Sequence, residues 1–264
     1  MSLEGRVAIV TGASRGIGAD IARYLAKHGA GVALVARSVD AAVDPRMPGN
    51  MKEVESSIVA AGGAAISIGA NLRDAESVRS AVQQTVDHFG RLDIVVNNAV
   101  VVAPGRFDSI LDRYIELMWQ VSLRAPLLLM KEAISHLRNA GGGDIINVSS
   151  GAARFPGPGP YANPPRGAGG ADVMYGTVKS ALDRATQGIA MELQDDSIKV
   201  NALSPGGLIR TPGTVFARGL GVPEEGYESA DWMGRMAVWI CEQPASYTGN
   251  IVFDGDFRDR IAHL

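Results

Sequence analysis

The sequence predicts an α/β fold: a single Rossmann-like domain over residues 1–264, with a doubly wound parallel sheet of about seven strands and helices on both faces. Three observations predict it. Short β-branched apolar runs alternate with segments of helical periodicity along the chain, as a parallel sheet with both faces covered requires. A glycine-rich turn, Thr11-Gly12-Ala13-Ser14-Arg15-Gly16-Ile17-Gly18, follows the first apolar run. There a strand passes into a helix whose N-terminus can hold a pyrophosphate. Far downstream, Tyr175 is followed four residues later by Lys179, a spacing that puts both on one helix face.

Residues 7–11 read as the first strand, and 15–28 as a helix with Ile17, Ile21 and Leu25 on one face and Gly29 as its cap. Residues 31–36 give the second strand. A helix at 51–61 is stopped by Gly62-Gly63, and 64–69 form the third strand. The helix at 74–89 starts on Asp74, a suitable N-cap, and stops at Gly90. The fourth strand is 93–97. A long helical pattern covers 108–139, where Pro126 marks a bend or local irregularity, and Gly141-Gly142-Gly143 close it. Strands at 145–149 and 198–202 flank a helix at 174–193; a last helix spans 228–242 and a last strand 251–254. Segments 39–50, 151–172 and 204–226 are rich in Gly and Pro and read as loops. Insertions near 39–50 and 156–171 are long enough to act as lids or contacts.

Composition narrows the function classes. A net charge of −3 without basic runs argues against nucleic acid as a partner. No run approaches the ~20 apolar residues of a membrane span, and the N-terminus carries no secretory pattern. Cys241 is the only cysteine, which fits a reducing cytoplasm. His28, His88, His136 and His263 are scattered, so no metal site is expected.

The glycine turn lies in the first strand–helix unit, and Gly12, Gly16 and Gly18 allow close backbone approach to a dinucleotide. The spacing, G-x-x-x-G-x-G, differs from the G-x-G-x-x-G fingerprint. After the second strand comes Arg37-Ser38, where an acidic residue would accept ribose hydroxyls. Arg37 and Arg15 instead suit a 2′-phosphate, so NADP is expected over NAD.

These residues resemble the short-chain dehydrogenase/reductase family, of the classical type. Thr11 to Gly18 is similar to its cofactor loop, Asn97-Asn98-Ala99 to its fourth-strand motif, Ser149 with Tyr175 and Lys179 to its catalytic set, and Val200-Asn201-Ala202-Leu203-Ser204-Pro205-Gly206 to its sixth-strand motif. The resemblance implies hydride transfer between NADP and a small-molecule alcohol or carbonyl substrate, in a homodimer or homotetramer. It also implies that Ser14, Arg15, Ile17 and the glycines line the cofactor with Arg37, that Asn71 and Leu72 border the adenine, that Asn98, Ala99 and Val100 border the ribose, and that Pro205, Gly206 and Leu208 flank the nicotinamide.

The chemistry of the side chains points the same way. A free phenol titrates near ~10 and is a poor base at neutral pH. The neighbouring Lys179 ammonium favours the phenolate. Tyr175 is therefore the general acid for reduction and general base for oxidation, Ser149 holds the reacting oxygen, and Lys179 tunes Tyr175 and reaches the ribose. Three features depart from the family pattern. Val100 replaces a glycine, Ser122 stands where a helical Asn supports a proton relay, and 156–171 lengthens the interval between Ser149 and Tyr175. Val100 and Ser122 motivate the alternative of a cofactor-binding protein with weak or no catalysis, in regulation or assembly. Substrate contacts are expected from 100–107, 151–155 and 208–218, with Arg106, Arg154 and Arg166 as anion partners.

Overall fold

The computed structural model describes residues 2–42, 44–103, 105–160, 173–218 and 226–264. Its frame is a seven-stranded sheet in the order β3-β2-β1-β4-β5-β6-β7. The strands are β1 (Val7–Thr11), β2 (Gly31–Ala36), β3 (Ala64–Gly69), β4 (Ile94–Asn97), β5 (Gly143–Val148), β6 (Ile198–Ser204) and β7 (Ile251–Phe253). Every neighbouring pair is parallel. The chain starts at the centre, winds outward to β3, and returns to lay β4 on the other side of β1. A crevice opens beyond the strand ends at such a reversal.

Successive strand side chains point to opposite faces, and the apolar runs bury both. Ala8, Val10, Val32, Leu34, Ile94 and Val96 pack on one face with Ile21, Leu25, Met236 and Ile240. These last four come from helices α1 (Gly16–Lys27) and α8 (Asp231–Glu242). Ile9, Ala33, Val35, Val95 and Ile145 pack on the other face with Val78, Val82, Leu129 and Met130. Helices α3 (Ala75–Phe89) and α5 (Ala125–Asn139) supply that cover.

Local signals placed several ends correctly. Asp74 caps α3 by accepting from the Glu76 and Ser77 N–H groups at 3.2 and 3.3 Å, and Gly90 ends it in the left-handed region. Helix α2 (Met51–Ala60) starts on Asn50, whose side chain accepts from Glu53 N–H at 2.9 Å while its amide donates to the Glu53 carboxylate at 2.7 Å. That reciprocal pair resembles a capping box.

The expected helix over 108–139 is two helices. Residues 106–110 form a turn, α4 spans Asp112–Trp119, and a π-type turn, Gln120–Arg124, precedes α5. The Ala125 N–H bonds to the carbonyl of Gln120, five residues back. Pro126 has no N–H to offer the Ser122 carbonyl one turn earlier, so the helix widens just ahead of it. The expected last helix begins at Asp231 rather than 228, because Glu228 is held in a parallel bridge to Ile209. Within 204–226 the chain forms α7 (Pro212–Arg218), and after β7 a short helix α9 (Arg258–Ile261). Strand β5 starts at Gly143, where a Cβ would lie 2.6 Å from the Asp93 carbonyl oxygen. Much of the 156–171 insertion, with Arg166, lies outside the described residues.

Two buried polar systems tie the layers together. Asn97 donates to Asn147 at 2.8 Å across β4 and β5, and Asn147 donates to Thr186 at 2.9 Å on α6 (Val173–Glu192). At the opposite ends of the strands, where β5 and β6 begin, Asp144 is paired with Arg6 and, at 2.9 Å, with Lys199. Lys199 also donates to the carbonyls of Ile240 and Gln243, at 3.0 and 2.6 Å. Breaking a buried pair strands the remaining charge. Asp144→Ala is therefore expected to lower the unfolding free energy by about 3 kcal/mol or more, read as a lower urea midpoint at unchanged slope.

Candidate active site

Beyond β1 and β4 the two chain ends are sewn together. Thr11 Oγ1 accepts from the Asn98 and Ala99 N–H groups at 3.0 and 3.1 Å and donates to the Val96 carbonyl at 3.2 Å. The Asn98 amide donates to the Thr11 and Gly12 carbonyls at 2.9 and 3.2 Å. This seam explains two of the glycines. A Cβ on Gly12 would lie 2.8 Å from Ala99 Cα, and one on Gly18 would lie 2.3 Å from the Asn98 amide nitrogen. Gly12 and Gly16 also have φ of +66° and +55°, which L side chains resist. Thr211 covers Gly16, whose Cβ would meet Thr211 Cγ2 at 2.9 Å.

Helix α1 begins here with Arg15 as its N-cap, no side-chain cap and no acidic residue in the first turn. An N-terminus of this kind suits a phosphate. Ser14 is buried just ahead of it. Arg15 donates to Ser38 Oγ at 3.1 Å and to the Met47 carbonyl, which ties the 39–50 segment to the glycine turn. Burial pulls the Arg15 guanidinium below its ordinary range, and the Arg37 charge pulls further. Two guanidinium groups are thus near one another beside the expected adenosine end. Beyond β3, Asn71 is exposed and accepts from Arg73 N–H at 3.2 Å, while Leu72 is buried. These residues fit a dinucleotide: a Cβ-intolerant turn, an open helix N-terminus and a cationic corner.

On the other side of the reversal, Ser149 follows β5 and its N–H bonds to the Leu203 carbonyl at 2.8 Å. Helix α6 comes in against the turn just after it. A Cβ on Gly176 would lie 2.8 Å from the Ala152 carbonyl oxygen, and Ser180 donates to the Ala153 carbonyl at 2.7 Å. Tyr175, half-buried in the first turn of α6, packs against the cluster of Met118, Leu123, Val178 and Leu182. Lys179 is 2% exposed; its Nζ donates to the Val148 carbonyl at 2.5 Å and lies 5.9 Å from the Tyr175 ring centre. Burial pushes the Lys179 ammonium down to about 8, an effect that the Asp183 charge opposes. Lys179 therefore reaches the end of β5, just ahead of Ser149, with the Tyr175 ring beside it.

The flanking segment after β6 is braced from behind. Gly206 N–H donates to the Asp254 carboxylate, and Leu208 accepts from Glu228 N–H at 2.7 Å. Val100 is 43% exposed. Ser122 is fully buried; its hydroxyl accepts from Val101 N–H at 3.1 Å. Arg106 is paired with Asp108 and Arg154 lies 3.7 Å from the Phe253 ring centre. Sequence reasoning missed Asp183, Asp254, Gly176 and Thr211. Asp183 follows Tyr175 and Lys179 at the same helical step, which was the available signal. The other three are revealed only by tertiary contact.

The sequence pattern of the short chain dehydrogenase family matches residues 6–217. Hydroxysteroid dehydrogenase-like protein 2 of Bos taurus is 33% identical over 256 residues, covering 96% of this chain and 57% of that protein. The chain thus spans little more than half the length of that relative. Versicolorin reductase of Emericella nidulans is 37% identical over 207 residues, covering 78% of this chain and 70% of its own length. A metagenomic short-chain oxidoreductase solved in complex with NADP superposes with a TM-score of 0.74 at 30% identity, covering 96% of this chain and 97% of that one. The chain belongs to the short-chain dehydrogenase family.

The buried lysine has a stability signature. Unfolded, Lys179 holds its proton up to about 10.5; folded, only up to about 8. Between these values the unfolded state binds more protons, so unfolding free energy rises with pH. The contribution is complete above the upper value and lost as pH falls through the lower one. Lys179→Met is expected to flatten this rise in pH-dependent urea titrations of the cofactor-free protein.

Proposed function

We propose that this chain is an NADP-dependent oxidoreductase that interconverts an alcohol and a ketone or aldehyde, with Tyr175 as general acid/base and residues 1–264 forming one dinucleotide-binding domain. The observation that carries the reading is the buried Lys179, anchored to the Val148 carbonyl beside the Tyr175 ring. A bound nicotinamide dinucleotide supplies the hydride for reduction and takes it up in oxidation. Tyr175 donates its phenolic proton to the carbonyl oxygen as that oxygen gains negative charge, and takes the proton back in the reverse direction. Ser149 hydrogen-bonds the same oxygen and fixes its place. Lys179 keeps its proton at neutral pH, and its charge favours the phenolate.

Arg15 and Arg37 support NADP over NAD, as does the NADP complex of the structural neighbour. Gly12, Ser14, Gly16, Ile17 and Gly18 form the pyrophosphate wall. Asn71 and Leu72 border the adenine, Asn98 to Val100 the ribose, and Pro205, Gly206 and Leu208 the nicotinamide. The exposed Trp119, Leu127 and Met191 on α4, α5 and α6 support a homodimer or homotetramer. The buried lone Cys241 supports a cytoplasmic setting. A second reading, cofactor binding with little catalysis, draws on Ser122, whose hydroxyl is engaged by Val101 rather than left for a relay.

The test is turnover of a panel of carbonyl compounds followed by NADPH absorbance. Tyr175→Phe is expected to lower kcat by about a hundredfold or more with the NADPH dissociation constant nearly unchanged. Tight NADPH binding with no turnover by the unsubstituted protein would favour the second reading. Removing a charge-assisted partner costs about 1.5–3 kcal/mol, so Arg37→Ala is expected to weaken NADPH binding about tenfold or more and leave NADH binding nearly unchanged by fluorescence titration.

A further inference from the structure

The segment that follows β6 holds two successive residues without a side chain, Gly206 and Gly207. Glycine loses more conformational freedom on folding than any other residue, so a wall built on this pair has to be held from outside. Two carboxylates from later parts of the chain hold it. The Asp254 carboxylate, fully buried, accepts from Gly206 N–H. The Glu228 carboxylate lies against Gly207, where a Cβ would come 2.5 Å from its Oε1.

Glu228 grips the next residues as well. Its N–H donates to the Leu208 carbonyl at 2.7 Å, and its carbonyl accepts from Arg210 N–H at 3.3 Å. Between them lies the parallel bridge to Ile209. The Glu228 carboxylate is in turn ion-paired with Arg258. Arg258 opens α9, just after the turn that Asp254 starts, and Phe257 N–H closes that turn onto the Asp254 carbonyl at 3.0 Å. The turn is seated on α8: the Phe257 and Trp239 rings lie 4.9 Å apart, and the Arg258 guanidinium lies 5.4 Å from the Trp232 ring centre.

Residues 206–210 are thus pinned to one C-terminal turn, by Asp254 at Gly206 and by Arg258 through Glu228. The ion pair is the link that ties Glu228, and with it Leu208 to Arg210, to that turn. Placement of this wall matters, because a shift of about 1 Å between reacting groups can cost about a hundredfold in rate. We propose that Glu228 and Arg258 are positioning residues: their ion pair holds the 206–210 wall in place and so seats the nicotinamide ring, with no part in binding the adenosine end of the cofactor. The inference rests on the reading above that this segment flanks the nicotinamide.

The experiment compares two ligands by titration calorimetry: NADPH, and adenosine 2′,5′-bisphosphate, which has the adenosine end and no nicotinamide. The proteins are the unsubstituted chain, Glu228→Ala, Arg258→Met and the double variant, with kcat measured on the carbonyl compound reduced fastest in the panel. Each single substitution should weaken NADPH binding about tenfold and lower kcat, while the bisphosphate binds as before. Because both remove the same pair, the double variant should be no weaker than the more affected single one. NADPH binding and kcat unchanged in both single variants overturn the proposal. An equal loss of affinity for NADPH and the bisphosphate also overturns it, since the damage then reaches the adenosine end. Should Glu228→Ala fail to fold, Arg258→Met decides by the same comparison. An unsubstituted protein that binds neither ligand overturns the underlying reading of the cofactor site.

Discussion

The hydrogen bond from Lys179 Nζ to the Val148 carbonyl fixes the relation between helix α6 and the end of strand β5. A buried ammonium is costly and persists only with partners. Val148 contributes the last carbonyl of β5, so the bond ties the start of α6 to the strand edge rather than to a loop. Gly176 permits the approach by leaving room for the Ala152 carbonyl. Tyr175, one turn before Lys179, is thereby held with its ring beside the anchored ammonium. Residues far apart in sequence become neighbours through one charged anchor and one missing Cβ.

The cofactor half of the site depends on a second seam. Thr11 and Asn98 bind the ends of β1 and β4 across the strand-order reversal. The same polarity continues sideways as Asn97, Asn147 and Thr186 link β4, β5 and α6. Buried amides of this kind are stable only when their donors and acceptors are paired, so the ladder specifies the register of the strands that carry both halves. The crevice is assembled by the backbone geometry of a parallel sheet, and the side chains at its lip decide what is done there.

Much of this was legible in the sequence. Strand runs such as Val7–Thr11 and Gly31–Ala36 bury both faces and so read as continuous apolar segments. Asp74 and Gly90 mark α3 because caps are local chemistry. Tyr175 and Lys179 announce themselves by spacing, and the glycine turn by composition. What stayed hidden depends on distant partners. The π-type turn before Pro126 arises from a missing donor meeting a particular helix path. Asp254 bracing Gly206 and Thr211 covering Gly16 join segments that no periodicity connects. Asp183 looks like an ordinary polar helix residue until α6 is laid on the sheet and that face is buried.

On the proposed function, the two seams build a centre for hydride transfer to a carbonyl carbon. The most direct measurement is isotope transfer: NADPH deuterated at the reactive nicotinamide carbon is incubated with protein and carbonyl compound, and the alcohol is analysed by mass spectrometry. One deuterium is expected on the carbinol carbon, delivered from one face of the ring only. An alcohol free of label, or label delivered without regard to the face deuterated, would contradict it.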